Sequence, residues 1–109
     1  MKWFKIGMPS DDPIGLAIVG DPHLGSNGCN IALMRSDVAL MAGTEGVYAM
    51  NIGDTVDNWG GRLLNLYAEN DVSKQTERKL ARWFLENSGV RWLVWLEGNH
   101  DLMDGGFIN

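Results

Sequence analysis

Several features that mark particular classes of protein are scarce or absent in this chain of 109 residues. Cys29 is the only cysteine, which excludes an internal disulfide and is consistent with a reducing compartment. No apolar run approaches the ~20 residues that cross a bilayer. The two lysines near the start are not followed by the apolar segment of a signal peptide. These absences predict a cytoplasmic protein that has no membrane partner.

Positive charge is also scarce, with 9 basic residues against 14 acidic ones and a formal net charge of −5. Because there is no basic tract, the sequence predicts no nucleic-acid surface, and nucleic acid enters only as a possible substrate. A phosphate substrate is still compatible with this balance, since bound divalent cations reverse the local field. The glycine-rich phosphate loops of mononucleotide-binding α/β domains are absent as well, which argues against that class.

Strand-like and helix-like segments alternate along the chain in the order β-α-β-α-α-β. The strands are predicted at Ile14–Val19, Val47–Ile52 and Val90–Leu96, and the helices at Cys29–Ala42, Arg62–Glu69 and Ser73–Asn87. This order is typical of an α/β domain with a parallel sheet. Residues 1–13 are interpreted as a lead-in, and residues 14–109 as one domain. Trp92 and Trp95 are expected on opposite faces of the last strand, which predicts a sheet that is covered on both faces.

The last predicted helix is amphipathic. Leu80, Trp83 and Phe84 lie on one face and are predicted to pack in the core. The charged side chains of this segment, Glu77 and Glu86 among them, are expected on a solvated face.

Three short polar clusters each follow one of the predicted strands. They are Asp21-Pro22-His23, the segment Gly53–Asp57 and the segment Gly98–Asp101. Parallel sheets gather their active sites at the carboxyl ends of their strands. If the three strands are parallel neighbours, one edge of the sheet therefore carries two imidazoles, one carboxamide and four carboxylates. Such a set can bind metal ions and perform acid–base chemistry.

The spacing within the clusters suggests how they would hold an ion. Asp21 and His23 are two residues apart, so along an extended strand end both point the same way. Asp54 follows a glycine that allows a sharp turn, and its two oxygens can bridge two ions. Asn99 offers a neutral oxygen, whereas the adjacent His100 points elsewhere and is better placed as a free imidazole. Mixed oxygen and nitrogen ligands favour Mn, Fe, Zn or similar ions over calcium.

Each cluster alone is a weak signal, because such residues are common in turns and helix caps. Taken in order, however, D-x-H at Asp21, G-D-x-x-D at Gly53 and G-N-H-D at Gly98 resemble the signature of the calcineurin-like metallophosphoesterase family. The resemblance covers about Ile14 to Asp101. It implies that the predicted elements, in the order β-α-β-α-α-β, form one half of a two-sheet α/β sandwich. It also implies metal-dependent hydrolysis of a phosphomonoester or phosphodiester substrate.

The resemblance implies a role for each matching position around two divalent metal ions. Asp21 and His23 would bind the first ion, Asp54 would bridge both ions, and Asn99 would bind the second. The ions would make a hydroxide nucleophile available near neutral pH.

The remaining roles that the resemblance implies concern proton transfer. His100 would be the general acid that protonates the leaving oxygen, and Asp57 would hold His100 in its working orientation. Asp101 is interpreted as a hydrogen-bond partner within the site or as the cap of its loop. Trp59, beside the site, is assigned either to the core or to a wall of the substrate pocket.

The sequence departs from the family pattern in two respects. The pattern continues with a further histidine and then G-H-x-H, whereas His23 and His100 are the only histidines here. We therefore interpret the chain as an incomplete fragment lacking the C-terminal half, which that half or a complementing chain would complete. Weak metal binding and little or no turnover are expected from the chain alone. The second departure is Asn58, which stands where related protein phosphatases carry arginine and argues against that class.

Two alternatives from other classes remain open on the sequence. One is a non-catalytic binding or interaction module that uses an uncovered face of the sheet, lined by residues such as Trp92 or Trp95. The other is a decayed remnant of a phosphoesterase.

Overall fold

The computed structural model describes residues 3–103, and residues 104–109 of the predicted domain lie outside this range. Three strands, β1 (Gly15–Val19), β2 (Val47–Asn51) and β3 (Trp92–Trp95), form one parallel sheet in the order β1-β2-β3. This arrangement confirms the α/β class and the parallel pairing. Residues 3–14, which include the described part of the predicted lead-in, contain no helix or strand.

The helical segments lie between and after the strands. They are α1 (Ile31–Gly43), a 3-10 helix (Gly61–Glu69), α2 (Lys74–Arg82), a π-helical turn (Trp83–Asn87) and α3 (Asn99–Leu102). Asn30 caps α1 by accepting the Leu33 backbone N–H, and Ser73 caps α2 by accepting that of Thr76. The short helix α3, which contains the third polar cluster, is not anticipated by the hydrophobic pattern.

The core lies on one face of the sheet. Val38 of α1, Ala49 of β2, and Ala81 and Phe84 of the α2 segment belong to one buried cluster. Trp83 is 39% exposed, so its predicted place in the core is wrong. The buried side chains of this segment are Glu77, Ala81 and Phe84, which follow helical spacing, so Trp83 lies beside the buried face rather than on it.

Trp92 and Trp95 both pack on this same core, so their predicted placement on opposite faces is wrong. Their rings lie edge to face, with centroids 4.8 Å apart. The cause is a register shift in the β2–β3 pairing, where Ala49 pairs with Trp92 but Met50 pairs with Val94. One extra residue in β3 reverses the alternation of faces between the two tryptophans.

The opposite face of the sheet is open among residues 3–103. Leu16 is 53% exposed and Ile18 is 65% exposed, whereas their neighbours Ala17 and Val19 pack on the core. Within the described part of the chain, the predicted covering of both faces is therefore not observed. The open face is lined by Leu16 and Ile18 rather than by the tryptophans.

None of the helices within residues 3–103 combines the length and the hydropathy that crossing a membrane requires.

Candidate metal centre

The three polar clusters lie together at the carboxyl ends of the strands. The first cluster continues the parallel pairing past the end of β1. The backbone N–H of Asp21 donates to Gly53 at 3.2 Å, and that of His23 donates to Asp54 at 3.1 Å. This places the D-x-H segment alongside the G-D-x-x-D segment, as parallel neighbouring strands require.

The second and third clusters touch through two glycines. A Cβ atom on Gly53 would lie 2.7 Å from the Gly98 backbone nitrogen, and Gly53 has a φ of 110°, which favours glycine. A Cβ atom on Gly98 would overlap the backbone nitrogen and side chain of Asp54. Gly53 and Gly98 therefore allow the backbones of the second and third clusters to approach each other closely, at positions where a residue with a side chain would not fit.

One group of possible metal ligands joins the first two clusters. Asp21, His23 and Asp54 each offer a ligand atom, and these atoms all lie within 4.8 Å of one another. All three residues adopt left-handed backbone conformations, with φ values of 48°, 43° and 50°. Such conformations are unfavourable for residues with a side chain and cluster at functional sites. The backbone is thus held in a strained shape that brings these three side chains together.

Asp57 determines which nitrogen of His23 can face a metal. The Asp57 carboxylate is buried, and its Oδ1 lies 2.7 Å from His23 Nδ1. Its second oxygen accepts a hydrogen bond from Asn70 Nδ2 at 2.8 Å. A carboxylate that accepts at Nδ1 keeps the proton there and leaves the Nε2 lone pair available. This is the tautomer that a metal ligand on Nε2 needs.

His100 contacts Asp57 through the backbone. Its Nδ1 lies 2.9 Å from the Asp57 carbonyl oxygen, which can only accept a hydrogen bond. Nδ1 therefore carries a proton, and Nε2 is left to exchange one. The family resemblance implied that the Asp57 carboxylate orients His100. In the structure the carbonyl makes this contact, while the carboxylate contacts His23. The two imidazole rings lie 5.0 Å apart, and with Asp57 they form a second group of possible ligands.

Asp54 links the ligand group to the third cluster. Its Oδ1 accepts the His100 backbone N–H at 3.0 Å, which fixes one carboxylate oxygen against the start of α3. Asn99, the predicted ligand of a second ion, is exposed at the first residue of that helix. Asn99 thus immediately precedes His100, the residue whose backbone N–H donates to Asp54.

Asp101 performs both of the structural roles considered from the sequence. It is fully buried, and its Oδ1 accepts the Thr55 N–H at 2.9 Å while its Oδ2 accepts the Gly98 N–H at 2.9 Å. The first bond joins the third cluster to the second, and the other caps α3. Burial raises the pKa of the Asp101 carboxyl, although the backbone N–H groups oppose the shift.

Glu77 is the residue that the sequence reasoning most clearly missed. It was expected on a solvated face, but it is fully buried beneath the second cluster. Its Oε1 accepts the Asn58 backbone N–H at 2.9 Å and the Tyr67 hydroxyl at 2.7 Å. Burial raises the pKa of Glu77. The available signal was spacing, because Glu77 lies four and seven residues before the core residues Ala81 and Phe84.

Asn58 and Trp59, which follow the second cluster in the chain, both contact residues of the third cluster. Asn58 is fully buried, and its Nδ2 donates to the carbonyls of His100 and Asp101 at 3.1 Å and 3.0 Å. Trp59 is partly exposed, and its ring contacts the His100 ring with centroids 4.8 Å apart. Asn58 therefore ties two clusters together, while Trp59 lies beside the imidazole that could transfer a proton.

Comparison with protein-family models, curated proteins and solved structures gives no match for this chain, so its function must be inferred from the site itself.

Proposed function

We propose that this edge of the sheet is a divalent-metal centre and that the chain forms part of a metal-dependent phosphoester hydrolase. The observation that carries the proposal is the convergence of Asp21, His23 and Asp54, whose ligand atoms lie within 4.8 Å of one another. They come from two different loops, and His100 lies beside them. Convergence of carboxylates and imidazoles from separate loops is what a metal centre with an adjacent proton donor requires.

The donor set suits such ions. Asp21 and His23 would hold one ion, Asp54 would share its carboxylate with a second, and Asn99 would contribute to that second ion. Carboxylate and carboxamide oxygens together with a nitrogen that has a free lone pair favour Mn, Fe, Zn or similar metals. Divalent ions held there would supply Lewis acidity towards the phosphate oxygens and activate water.

His100 supplies the proton in this proposal. In its imidazolium form, Nε2–H donates to the oxygen of the departing alcohol as the phosphorus–oxygen bond breaks. The neutral ring that remains keeps its proton on Nδ1, where the Asp57 carbonyl accepts it at 2.9 Å. That contact holds the ring so that Nε2, rather than Nδ1, performs the transfer.

The open face of the sheet supports the two-sheet sandwich as the complete fold, and we include that sandwich in the proposal. Leu16 and Ile18 present an apolar surface that a second sheet would cover. The further histidine ligands of the family pattern are not among the 109 residues. The proposal therefore assigns them to a complementing half or chain.

Phosphate binding tests this function without requiring turnover. Inorganic phosphate should bind the chain only in the presence of Mn²⁺, as measured by calorimetry. Asp54→Asn should abolish that binding, whereas Asp37→Asn, at an exposed position of α1, should leave it unchanged. Release of p-nitrophenol from its phosphate ester in the same samples would measure the low turnover expected of the chain alone. Phosphate binding that is independent of both Mn²⁺ and Asp54 would contradict the proposal.

A non-catalytic binding module is the second candidate, and the exposure of Leu16 and Ile18 is the observation that favours it. In that case Mn²⁺ would bind at the edge of the sheet, but phosphate would not bind to the loaded protein. The phosphate titration therefore separates the two candidates.

A further inference from the structure

Glu77 and His100 lie on opposite sides of one peptide group. The peptide between Asp57 and Asn58 presents its carbonyl oxygen to His100 Nδ1 at 2.9 Å. The N–H of the same peptide donates to Glu77 Oε1, also at 2.9 Å. The described chain contains no cis peptide bond, so this carbonyl and this N–H point in opposite directions from one plane.

We propose that Glu77 is a positioning residue that acts on His100 through this single peptide group. By holding the N–H of Asn58, Glu77 fixes the plane of the peptide and therefore the direction in which the Asp57 carbonyl meets the imidazole. Hydrogen bonds at the two ends of one peptide also polarise each other, which strengthens the carbonyl as an acceptor. The consequence for His100 is a fixed ring orientation and a proton retained on Nδ1.

The surroundings of Glu77 are consistent with a rigid support. Its side chain is fully buried on α2, and the Tyr67 hydroxyl donates to the same Oε1 at 2.7 Å. Asn58 has a left-handed φ of 48°, and its carboxamide holds the His100 carbonyl at 3.1 Å. His100 is thus held at its backbone by Asn58 and at its ring by the neighbouring peptide. Glu77 stabilises both contacts, because it accepts the backbone N–H of Asn58.

Glu77 stands outside the ligand group, so its role differs from metal binding. The importance of His100 rests on the proposed hydrolase function, but the positioning itself can be tested on the metal-free protein. If the hydrolase assignment fails and the positioning is correct, the nitrogen-15 spectra of the two histidines will still show the positioning.

The tautomers of the two histidines provide the readout, because His23 and His100 are the only ones in the chain. Nitrogen-15 NMR of the full, metal-free chain should show both neutral rings protonated at Nδ1. In Glu77→Leu, which keeps a helix-forming side chain without an acceptor, His100 should lose that preference and populate the Nε2–H form. His23 should keep it, because the Asp57 carboxylate and not the peptide holds its Nδ1.

Two further variants distinguish positioning from general loosening of the fold. Glu77→Gln retains an oxygen that can accept the Asn58 N–H, so it should restore the Nδ1–H form of His100. Tyr67→Phe removes the other hydrogen bond to the same oxygen without touching the peptide, so it should leave His100 unchanged.

Three results would overturn the proposal. The first is a wild-type His100 that is protonated at Nε2. The second is a Glu77→Leu protein in which His100 does not change, or in which both histidines change together. The third is an effect of Tyr67→Phe as large as that of Glu77→Leu. If Glu77→Leu does not fold, the spectra of Glu77→Gln test the link between Glu77 and His100 instead. The altered acceptor should shift the Asn58 amide resonance and the His100 Nδ1–H resonance together. An Asn58 shift without a His100 response would refute the link.

Discussion

The candidate ligands Asp21, His23 and Asp54 form the ligand side of the site, and the carboxylates Asp101 and Glu77 form its support side. The two sides differ in burial and in hydrogen bonding. Asp21 is exposed, and His23 and Asp54 are partly exposed, all on strained loop backbones. Asp101 and Glu77 are fully buried and accept most of their hydrogen bonds from backbone N–H groups. The candidate ligands are thus accessible to an ion, whereas the buried carboxylates hold the loops through hydrogen bonds. Among the described residues, only the Oε2 atom of Glu77 on this buried side lacks such a partner. Substitutions on one side therefore reveal whether the other side depends on it.

Removal of Asp101 should give the largest effect, and the effect should be on stability. Asp101→Ala leaves the buried N–H group of Thr55 and the partly buried N–H group of Gly98 without their acceptor. We expect this to lower the free energy of unfolding by about 4 kcal/mol. Urea denaturation followed by tryptophan fluorescence measures this change. Asp101→Asn retains one acceptor oxygen and should lose about half as much. Equal stability of Asp101→Ala and the wild type would show that the support side is not what holds the loops.

Asp54→Asn should show the converse pattern, with metal affinity lost and the fold kept. The substituted amide still has an oxygen to accept the His100 N–H, but it lacks the charge and the second oxygen of a bridging ligand. Affinity for Mn²⁺ should fall by at least about 100-fold, because a direct ligand contributes more than the partners that orient ligands, whose loss costs up to about 100-fold. Calorimetric titration measures it, with Asp37→Asn as the matched control. Unchanged affinity in Asp54→Asn would remove Asp54 from the ligand set.

Asp57→Asn should have a smaller effect that reaches the metal through His23. An asparagine oxygen can still accept the His23 Nδ1–H, but it is a weaker partner than a carboxylate. We expect about a 10-fold loss of Mn²⁺ affinity, at the lower end for a residue that orients a ligand. The carbonyl at position 57 remains, so the tautomer of His100 should not change. A changed His100 tautomer in this variant would mean that the carboxylate, rather than the carbonyl, orients that ring.

The smallest expected effect is a pH dependence that arises from Glu77. Because burial raises its pKa above the ordinary value of 4.5, the folded state binds the proton more tightly than the unfolded state does. The contribution of Glu77 to stability is therefore fully present below pH 4.5 and is lost as the pH rises through the folded-state pKa. Glu77→Gln is neutral throughout and should gain stability relative to the wild type over that range. The free energy of unfolding in urea, measured against pH, tests this. If it changes with pH in the same way in Glu77→Gln and in the wild type, Glu77 is not the source of the pH dependence.

The sequence predicted the strands and the order of elements well, because glycine and asparagine residues mark the boundaries clearly. The placement of Trp92 and Trp95 failed, since a register shift depends on pairing with β2 and leaves no trace in the periodicity of one strand. The meeting of the three polar clusters at one edge of the sheet was predictable from their positions after strands. The burial of Glu77 was not, because a charge at a core position is explained only by partners that are distant in sequence, such as Asn58.

The central claim is that Asp21, His23 and Asp54 together hold a divalent cation, and paramagnetic broadening tests it most directly. Substoichiometric Mn²⁺ added to the nitrogen-15-labelled chain should first broaden the amide signals of Asp21, His23, Gly53 and Asp54. In Asp54→Asn this selective broadening should disappear. Broadening that begins instead at Asp11 and Asp12, the acidic pair of the lead-in, or that is unchanged in Asp54→Asn, would contradict the account.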